Sequence, residues 1–313
     1  MQTLVTGGAG FIGSNLVDAL VGRGDAVTVV DDLSGGHERN LAGALEAGAR
    51  LERVDIRDAA ALAEVVAGAK PETIFHLAAQ VDVRISISDP AYDARTNVEG
   101  TINVLEAARA VRSARVVFSS TGGAIYGETD ELPTPETVEP LPMAAYGQSK
   151  FCAERYLGLY NRLYGMSTIA LRFGNVYGPR QDPHGEAGVI AIFCGRLREG
   201  KAPTIYGEGT QTRDYIYVGD LVEALLAAGA SDAVGEINIG TEAETSVLDI
   251  VSVLADLYGP DAPEPVLAPR RLGEIERSCL DASRARDVLG WQAHTPIAEG
   301  LRLTYESHAP PSA

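Results

Sequence analysis

Gly7-Gly8-Ala9-Gly10-Phe11-Ile12-Gly13 is the stretch that decides the fold, because it joins a short apolar run at 3–6 to an amphipathic run at 12–21. Its glycines follow the pattern G-x-x-G-x-x-G between a predicted strand and a predicted helix. Such a chain turns tightly, and its bare backbone can approach a pyrophosphate. The helix N-terminus adds free N–H groups and partial positive charge. The stretch predicts a dinucleotide site whose contacts are Gly7, Gly10, Phe11, Ile12 and Gly13.

Outward from this turn, strand and helix patterns alternate through the first half of the chain. Short β-branched or apolar runs at 3–6, 26–31, 51–55, 73–77, 116–119 and 168–172 are mostly separated by amphipathic stretches of helical length. Nearly continuous apolar strands between helices are typical of a parallel sheet covered on both faces. The predicted fold class is α/β, a Rossmann-type doubly wound parallel sheet with a smaller, interleaved C-terminal substrate-binding domain.

The regular alternation fades after about Phe173, where proline and glycine become frequent. We therefore predict an NAD-binding domain over 1–172 and a smaller substrate-binding cap over 173–313. One later strand pattern, near 236–240, is predicted to return to the sheet. Further helices are predicted at 220–228, 247–257 and 298–305.

Charge and composition exclude several classes of protein. The chain has 313 residues, with 43 acidic and 26 basic side chains and a net charge of −17. That field repels nucleic acid and anionic lipid, so neither a nucleic-acid nor a membrane partner is expected. The three cysteines form no C-x-x-C pair and the five histidines are scattered, so we expect no disulfide framework and no metal site. The absence of a basic N-terminal region and of a long apolar run favours a cytoplasmic location.

An acidic residue supports the dinucleotide site. Asp31 ends the second predicted strand, at the spacing from Gly13 expected of a carboxylate that holds an adenosine ribose, and Asp32 follows it. A carboxylate there repels a 2′-phosphate, so NAD is favoured over NADP. The alternative is a glycine-rich turn with a solvated aspartate. Other predicted cofactor contacts lie at the ends of the third and fourth strands, where ordinary strand-end packing is the alternative: Asp55, Ile56, Leu77, Ala78 and Ala79.

Tyr146 and Lys150 are the candidate catalytic pair. Their spacing of four places both side chains on one face of a helix. A cation near a phenol stabilises the phenolate, so Tyr146 is predicted to act as a base near neutral pH. Thr121, at the end of the fifth predicted strand, is a hydroxyl that can orient a substrate. Ser120 is the alternative to Thr121 for that role.

With these residues in this order, the chain resembles the extended short-chain dehydrogenases/reductases, and within them the UDP-glucose (UDP-galactose) 4-epimerases, over essentially its full length. The resemblance is carried by the glycine turn, Tyr146–Lys150 and several further stretches: His76-Leu77-Ala78-Ala79, Asn97-Val98-Glu99-Gly100-Thr101, Tyr126-Gly127, Arg172-Phe173-Gly174-Asn175-Val176-Tyr177-Gly178-Pro179, Arg213-Asp214-Tyr215-Ile216 and Arg271-Leu272-Gly273-Glu274. It implies tightly bound NAD, a UDP-hexose substrate and a homodimer paired through the helices after Tyr146 and near 97–110. Asn97, Ser119 and Phe173 are implied as further cofactor contacts.

The loop Thr121-Gly122-Gly123-Ala124-Ile125-Tyr126 separates the epimerases from their relatives. Related 4,6-dehydratases and decarboxylases carry a glutamate in this loop, whereas this loop has no acid. The resemblance therefore implies epimerisation at C4 by reversible hydride transfer to NAD and rotation of a 4-keto sugar. UDP-glucuronate 4-epimerase, dehydratase, reductase and a non-catalytic NAD-binding sensor are the alternatives.

The resemblance also implies a substrate site in the second half of the chain. Arginine suits a diphosphate because its planar fork donates two hydrogen bonds. Ser278 is small, and a bulky residue in this region restricts N-acetylated sugars in the family, so UDP-N-acetyl sugars are expected to be accepted. His184 is interpreted as a loop residue. With Thr121 and Tyr146, the implied substrate contacts are Asn175, Val189, Tyr206, Arg213, Arg271, Glu274 and Ser278.

Overall fold

A computed structural model of the chain describes residues 1–113, 115–183, 188–270 and 275–308. The first part of the chain forms six strands with helices between them. Its elements are β1 (Gln2–Thr6), α1 (Phe11–Gly22), β2 (Ala26–Val30), a 3₁₀ turn (Glu38–Leu41), α2 (Ala42–Glu46), β3 (Arg50–Glu52), α3 (Ala59–Ala69), β4 (Thr73–His76), α4 (Val83–Ser88), α5 (Pro90–Ala94), a π-helical turn (Arg95–Glu99), α6 (Gly100–Val111), β5 (Arg115–Thr121), α7 (Gly122–Ile125), α8 (Ala145–Tyr164) and β6 (Ser167–Phe173).

The remaining part has shorter strands. Its elements are β7 (Asn175–Tyr177), α9 (Val189–Arg198), β8 (Thr204–Tyr206), β9 (Thr212–Arg213), β10 (Tyr215–Tyr217), α10 (Val218–Ala230), β11 (Gly235–Ile239), β12 (Thr245–Ser246), α11 (Val247–Tyr258), β13 (Val266–Ala268), α12 (Ser283–Leu289) and α13 (Ile297–Ser307).

Local chemistry sets several of these boundaries. The Asp58 carboxylate accepts a hydrogen bond from the Ala61 N–H at the start of α3. Ser246 and Asp249 form a reciprocal capping box that begins α11. Gly165 takes the left-handed conformation, with φ of 65°, and ends α8.

Seven parallel strands form the main sheet, in the order β11-β6-β5-β4-β1-β2-β3. The chain order reverses between β1 and β4, and this is where open parallel sheets bind ligands at the carboxyl ends of their strands. The α/β fold class is therefore confirmed. The strand pattern near 236–240 corresponds to β11, which pairs with β6 at the edge of the sheet.

Two apolar layers cover the sheet, and a third core lies in the C-terminal part. One layer packs α1 and α10 on the sheet around Leu16, Val29 and Leu225. The other packs α3, α6 and α8 on the opposite face around Leu62, Leu105 and Leu157. The third core joins α9, α11 and α13. Although both elements follow residue 173, β11 joins the sheet and α10 packs on its face. The chain therefore enters the sheet twice, and the division at 172/173 stays a prediction.

The third strand is shorter than expected. Residues 51–55 were predicted as a strand, but β3 ends at Glu52. Asp55 instead accepts hydrogen bonds from the backbone N–H and the guanidinium of Arg57, which closes a turn. Side-chain-to-backbone hydrogen bonding of this kind competes with strand pairing.

The described ranges contain neither of two other features. Among these residues, no helix combines the length and apolar character needed to cross a bilayer. The same part of the chain contains no cluster of three or more His, Cys, Asp or Glu side chains that could hold a metal ion. Cys152, Cys194 and Cys279 are free thiols.

Candidate active site

The glycine turn has the geometry that a phosphate needs. Gly7 has a φ of 69°, and a Cβ atom at this position would lie 2.6 Å from the Ala78 backbone nitrogen. A Cβ atom on Gly13 would collide with the Gly7 carbonyl oxygen, so only glycine allows α1 to start this close to β1. The Ser14 N–H donates to the Gly10 carbonyl at 3.0 Å, which leaves the N–H groups before it outside the helical ladder.

Asp31 lies beside this turn and is buried. One carboxylate oxygen accepts from the Ala9 N–H at 2.8 Å and the other from the Leu33 N–H at 2.9 Å. Burial raises the pKa of Asp31, and the two N–H donors oppose that rise. Each oxygen keeps lone-pair capacity for a ribose hydroxyl. Asp32 instead accepts from the backbone and side chain of Ser34.

The predicted adenine contacts lie after β3. The Arg57 side chain pairs with Asp55, and this ion pair holds the pKa of Asp55 below its usual value. The Arg57 guanidinium also lies 5.1 Å from the centre of the Tyr92 ring. Ile56 is buried under α6, where a Cβ atom on Gly100 would touch it. The side chain of Ile56 is therefore part of the core.

The end of β4 packs directly against the glycine turn. Leu77 N–H donates to the Thr6 carbonyl at 3.1 Å, and Ala78 N–H donates to the Thr6 hydroxyl at 3.2 Å. Ala79 follows as another small side chain. Small residues here let the two backbones approach, as expected for a dinucleotide path. The neighbouring His76, which the resemblance included without assigning it a role, has its ring nitrogens 2.7 Å from the Thr6 hydroxyl and 3.0 Å from the Thr101 hydroxyl.

Tyr146 and Lys150 lie on successive turns at the start of α8. Lys150 is buried, and its ammonium donates to the Ser119 carbonyl at 2.8 Å. It also lies 4.7 Å from the centre of the Phe118 ring. The Ser119 hydroxyl donates to the His76 carbonyl at 3.1 Å, which joins the ends of β4 and β5. Ser119 therefore contacts Lys150 through its backbone.

The two candidate hydroxyls point to different partners. The Thr121 side chain hydrogen-bonds with the Tyr146 phenol. The Ser120 hydroxyl donates to the Glu154 carboxylate at 2.6 Å in a buried environment. This geometry favours Thr121 over Ser120 as the hydroxyl beside the base.

The pKa values of the pair differ from the sequence expectation. Burial, and then the Asp93 carboxylate, raise the pKa of Tyr146 to about 12, while the Thr121 hydrogen bond lowers it. Burial lowers the pKa of Lys150 to about 7, against the opposing charges of Asp93 and Glu154. The chain's own groups therefore raise the pKa of Tyr146 instead of lowering it, and its role as a base near neutral pH stays a prediction. Desolvation is the largest cause at both side chains, because burial disfavours the charged form of either group.

Asn97 is central to a polar cluster in the π-helical turn. Its amide oxygen accepts from the Gln80 N–H at 2.8 Å, and its amide nitrogen donates to the Gln80 carbonyl at 2.9 Å and the Ser149 hydroxyl at 3.1 Å. Asp93 accepts from both Gln80 and Asn97. Sequence reasoning named Asn97 but missed Gln80, Asp93 and Ser149. These three residues come from separate segments of the chain, so only their proximity in the folded structure identifies them.

The two glycines after Thr121 have a steric reason. A Cβ atom on Gly122 would collide with the Leu280 side chain, and one on Gly123 would lie 3.1 Å from the Asn175 amide oxygen. Phe173 is the sheet partner of Thr121 and is buried. Asn175 is therefore brought close to the end of β5 that carries Thr121.

Arg213 and Ser278 are also brought together. Thr212 N–H donates to the Glu276 carbonyl at 3.0 Å, and Ser278 N–H donates to the Thr212 carbonyl at 3.2 Å. The backbone of residues 276–278 therefore lies alongside β9, the strand that contains Arg213. The Ser278 side chain is half-buried. Tyr206 ends β8 and Val189 begins α9. The predicted contacts Arg271 and Glu274, and the loop residue His184, lie outside the described residues.

These features fit a dinucleotide. A glycine cradle that a Cβ would fill, the N-terminus of α1 and the Asp31 carboxylate suit a pyrophosphate and its ribose. The uncharged first turn of α1 has no acidic residue to oppose an anion. The donor and acceptor set at this edge of the sheet therefore matches the group predicted from the sequence.

Comparisons with known proteins agree with this geometry. Residues 3–240 match the model of the NAD dependent epimerase/dehydratase family. The chain is 46% identical over 310 residues to a UDP-glucose 4-epimerase of Mycolicibacterium smegmatis, with 98% of each chain covered. It is also similar to the crystal structure of a Thermotoga maritima UDP-glucose 4-epimerase with UDP-glucose, at 44% identity, a TM-score of 0.94 and 98% of each chain. A UDP-N-acetylglucosamine 4-epimerase from Methanobrevibacter ruminantium M1, in complex with UDP-N-acetylmuramic acid, is 32% identical, with a TM-score of 0.92 and 97% of each chain covered.

Proposed function

Because the chain belongs to the NAD dependent epimerase/dehydratase family, we propose that it is a UDP-hexose 4-epimerase that interconverts UDP-glucose and UDP-galactose. The observation that carries this proposal is the pairing of Tyr146 with Thr121 beside a loop without an acid. A base and a hydroxyl are sufficient to move one hydroxyl proton. Removal of water or carbon dioxide needs a further acid or base, which the loop 121–126 does not supply.

Bound NAD supplies the hydride acceptor and donor for C4 of the sugar. The residues that would hold it are the glycine turn, Asp31, the 77–79 segment, Asn97, Ser119, Lys150 and Phe173. Tyr146 removes the proton of the C4 hydroxyl, and the Thr121 hydroxyl orients that oxygen. Rotation of the 4-keto sugar exposes its other face, and Tyr146 then returns the proton.

The protonation state of Tyr146 is the chief electrostatic requirement of this cycle. With a pKa of about 12, the phenol is protonated at neutral pH in the chain alone. A positive charge beside the phenol favours the phenolate, and an oxidised nicotinamide is such a charge. Lys150 is buried on the helical turn after Tyr146. When its amine is protonated, its positive charge also stabilises the phenolate.

We assign the contacts to the nucleotide diphosphate to the predicted substrate-binding cap, residues 173–313. Asn175, near Gly123, and Arg213, beside Ser278, are proposed to bind the nucleotide diphosphate, with Tyr206 and Val189 farther out. Arginine binds a diphosphate through parallel hydrogen bonds. Arg271 and Glu274 complete the proposed set on the grounds of the motif. The net charge of −17 makes such local cations necessary for an anionic substrate.

The test of this function is a panel of nucleotide sugars incubated with the purified protein without added NAD. We expect UDP-glucose and UDP-galactose to interconvert with no net change in NAD(H), as measured by chromatographic separation of the products. Interconversion of UDP-glucuronate alone would overturn the hexose assignment. Net consumption of NAD(H) would instead indicate a reductase, and loss of water would indicate a dehydratase.

Ser278 provides a prediction about substrate range. The wild-type protein is expected to turn over UDP-N-acetylglucosamine, because the half-buried Ser278 leaves room for an acetamido group. Ser278→Tyr is expected to lower kcat/KM for that substrate by about tenfold or more relative to UDP-glucose, in line with exclusion by bulk in a pocket. Kinetics with both substrates measure this. No turnover of the N-acetyl sugar by the wild type, or an equal loss for both substrates, would contradict it.

We also propose that the protein is a cytoplasmic homodimer paired through α6 and α8. The two helices are joined where the Tyr160 hydroxyl donates to Glu106 at 2.6 Å, and Leu163 stays 62% exposed at the end of α8. With the adjacent Tyr164, which is 51% exposed, it forms an apolar patch at the end of α8, and such patches favour an interface.

Leu163→Asp is expected to convert the dimer to a monomer, because it places a charge in an apolar contact. Val288→Asp on α12, where the side chain is 44% exposed, is the matched control and should leave the dimer intact. Light scattering after size exclusion gives the mass. A wild-type mass close to that of one chain at micromolar concentration would refute the proposal.

A further inference from the structure

Asp93 is a buried carboxylate with one oxygen unsatisfied. It lies on α5, and its side chain has no exposed surface. One oxygen accepts from the Gln80 amide at 2.9 Å and from the Asn97 amide at 3.1 Å. The other oxygen has no hydrogen-bond partner in the part of the chain that the structure describes. A buried acceptor without a hydrogen bond costs free energy. A carboxylate kept at such a position is therefore a candidate for a functional role.

Hydrogen bonds lead from Asp93 to the catalytic helix. The Asn97 amide that donates to Asp93 also donates to the Ser149 hydroxyl at 3.1 Å. That hydroxyl donates in turn to the Tyr146 carbonyl at 2.9 Å. The cluster thus ends on the backbone of the first turn of α8, which carries Tyr146 and leads into the turn that carries Lys150. A carboxylate at its origin orients the Asn97 amide, and through it the first turn of α8.

The charge of Asp93 acts on the same pair. Its carboxylate opposes the effect of burial on Lys150 and reinforces that effect on Tyr146. Glu154, on α8 itself, also faces Lys150, but its carboxylate is paired with the buried Arg172 guanidinium. His76, on β4, is neutral because burial lowers its pKa to about 3. Unlike Glu154, the Asp93 carboxylate near Lys150 therefore has an oxygen without a partner among the described residues.

We propose that Asp93 is a positioning residue for the Tyr146–Lys150 pair. Its hydrogen-bonded oxygen holds the first turn of α8 through Asn97 and Ser149, and its buried carboxylate places a negative charge near both side chains. The kinetic part of this inference rests on the proposed epimerase function, whereas the protonation of Lys150 does not.

The sign of the pH effect follows from the two charges. Removal of the Asp93 charge makes the Lys150 ammonium less stable, so Lys150 loses its proton at lower pH. It also removes a repulsion from the phenolate, so Tyr146 loses its proton at lower pH as well. Activity that needs Tyr146 as a base and Lys150 as a cation should then have both limbs of its pH profile moved to lower pH. A residue that only supports the fold would lower the maximum and leave the limbs in place.

Asp93→Asn is the variant that tests this, because it keeps the size of the side chain and removes its charge. We expect kcat for UDP-galactose at pH 8 to fall about tenfold, with both limbs of the pH profile displaced to lower pH. Asp89→Asn is the matched control. It removes a charge from the same short helix at an exposed N-cap, where an amide oxygen can still accept from the Tyr92 N–H. Its pH profile should match the wild type.

Lys150 can also be followed directly, because Lys70, Lys150 and Lys201 are the chain's three lysines. An NMR titration of protein labelled with ¹³C at lysine Cε should show Lys150 titrating at lower pH in Asp93→Asn than in the wild type or Asp89→Asn. This titration can be measured even if the protein turns over no nucleotide sugar. A failure of the proposed function can therefore be distinguished from a failure of this inference. Should Asp93→Asn not fold, Asp93→Ser gives the same comparison with room for a water. An unchanged Lys150 titration together with unmoved limbs would overturn the proposal.

Discussion

Tyr146→Phe is expected to lower kcat for UDP-hexose epimerisation by about 10²–10⁴-fold, the range that a positioned acid–base group contributes. The substitution deletes the phenol oxygen that is paired with Thr121 and leaves the ring in its place. The glycine turn and Asp31 lie at the other end of the cofactor site and are untouched, so bound NAD should be retained. Kinetics and the absorbance of NAD released on denaturation measure the two effects.

Tyr156→Phe is the control for this prediction, since Tyr156 is a half-buried tyrosine on the same helix. It should leave both kcat and NAD content unchanged. Retained turnover in Tyr146→Phe would refute Tyr146 as the base. Loss of NAD together with activity would mean that the phenol mainly serves the cofactor site.

Glu154→Leu is expected to lower the free energy of unfolding by about 3–5 kcal/mol, the cost of leaving a buried charge without its partner. Glu154 and Arg172 are both buried, and two guanidinium nitrogens donate to the carboxylate at 2.9 and 2.7 Å. The Arg172 guanidinium also donates to the Tyr126 hydroxyl at 2.8 Å. That hydroxyl is neutral, so it cannot replace the carboxylate as the partner of the Arg172 charge.

The double variant Glu154→Leu with Arg172→Met separates lost charge from lost packing. It removes both charges, so it should be more stable than Glu154→Leu alone even though it contains one more substitution. Denaturant unfolding of the wild type, Glu154→Leu, Arg172→Met and the double variant gives the comparison. A double variant whose loss equals the sum of the single losses would contradict this account.

The path of the chain through the sheet could be predicted because each element has its own local pattern. The apolar run at 73–77 and the amphipathic run at 12–21 correspond to β4 and α1 to within one residue at each end. The prediction failed at 51–55, where the Asp55–Arg57 contact closes a turn and β3 ends at Glu52. A side chain competing for backbone N–H groups is difficult to see in an apolar pattern.

The choice between Ser120 and Thr121 could not be made from the sequence, since adjacent residues of a strand point to opposite faces and either face was possible. The structure places Ser120 against Glu154 and Thr121 against Tyr146. The role of Asp93 was equally hidden. Asn97 lies four residues after Asp93, but Gln80 lies thirteen residues before it and meets both side chains only in the folded structure.

The sequence by itself determined the order of strands and helices, the glycine turn beside Asp31 and the Tyr146–Lys150 spacing. These depend on neighbours in the chain, where periodicity and steric limits of the backbone act directly. Only the tertiary structure decided which hydroxyl meets the phenol, that Arg213 and Ser278 lie side by side, and how far each pKa moves. Burial and charges from distant segments control those properties, and desolvation is the largest cause of the pKa shifts of both Tyr146 and Lys150.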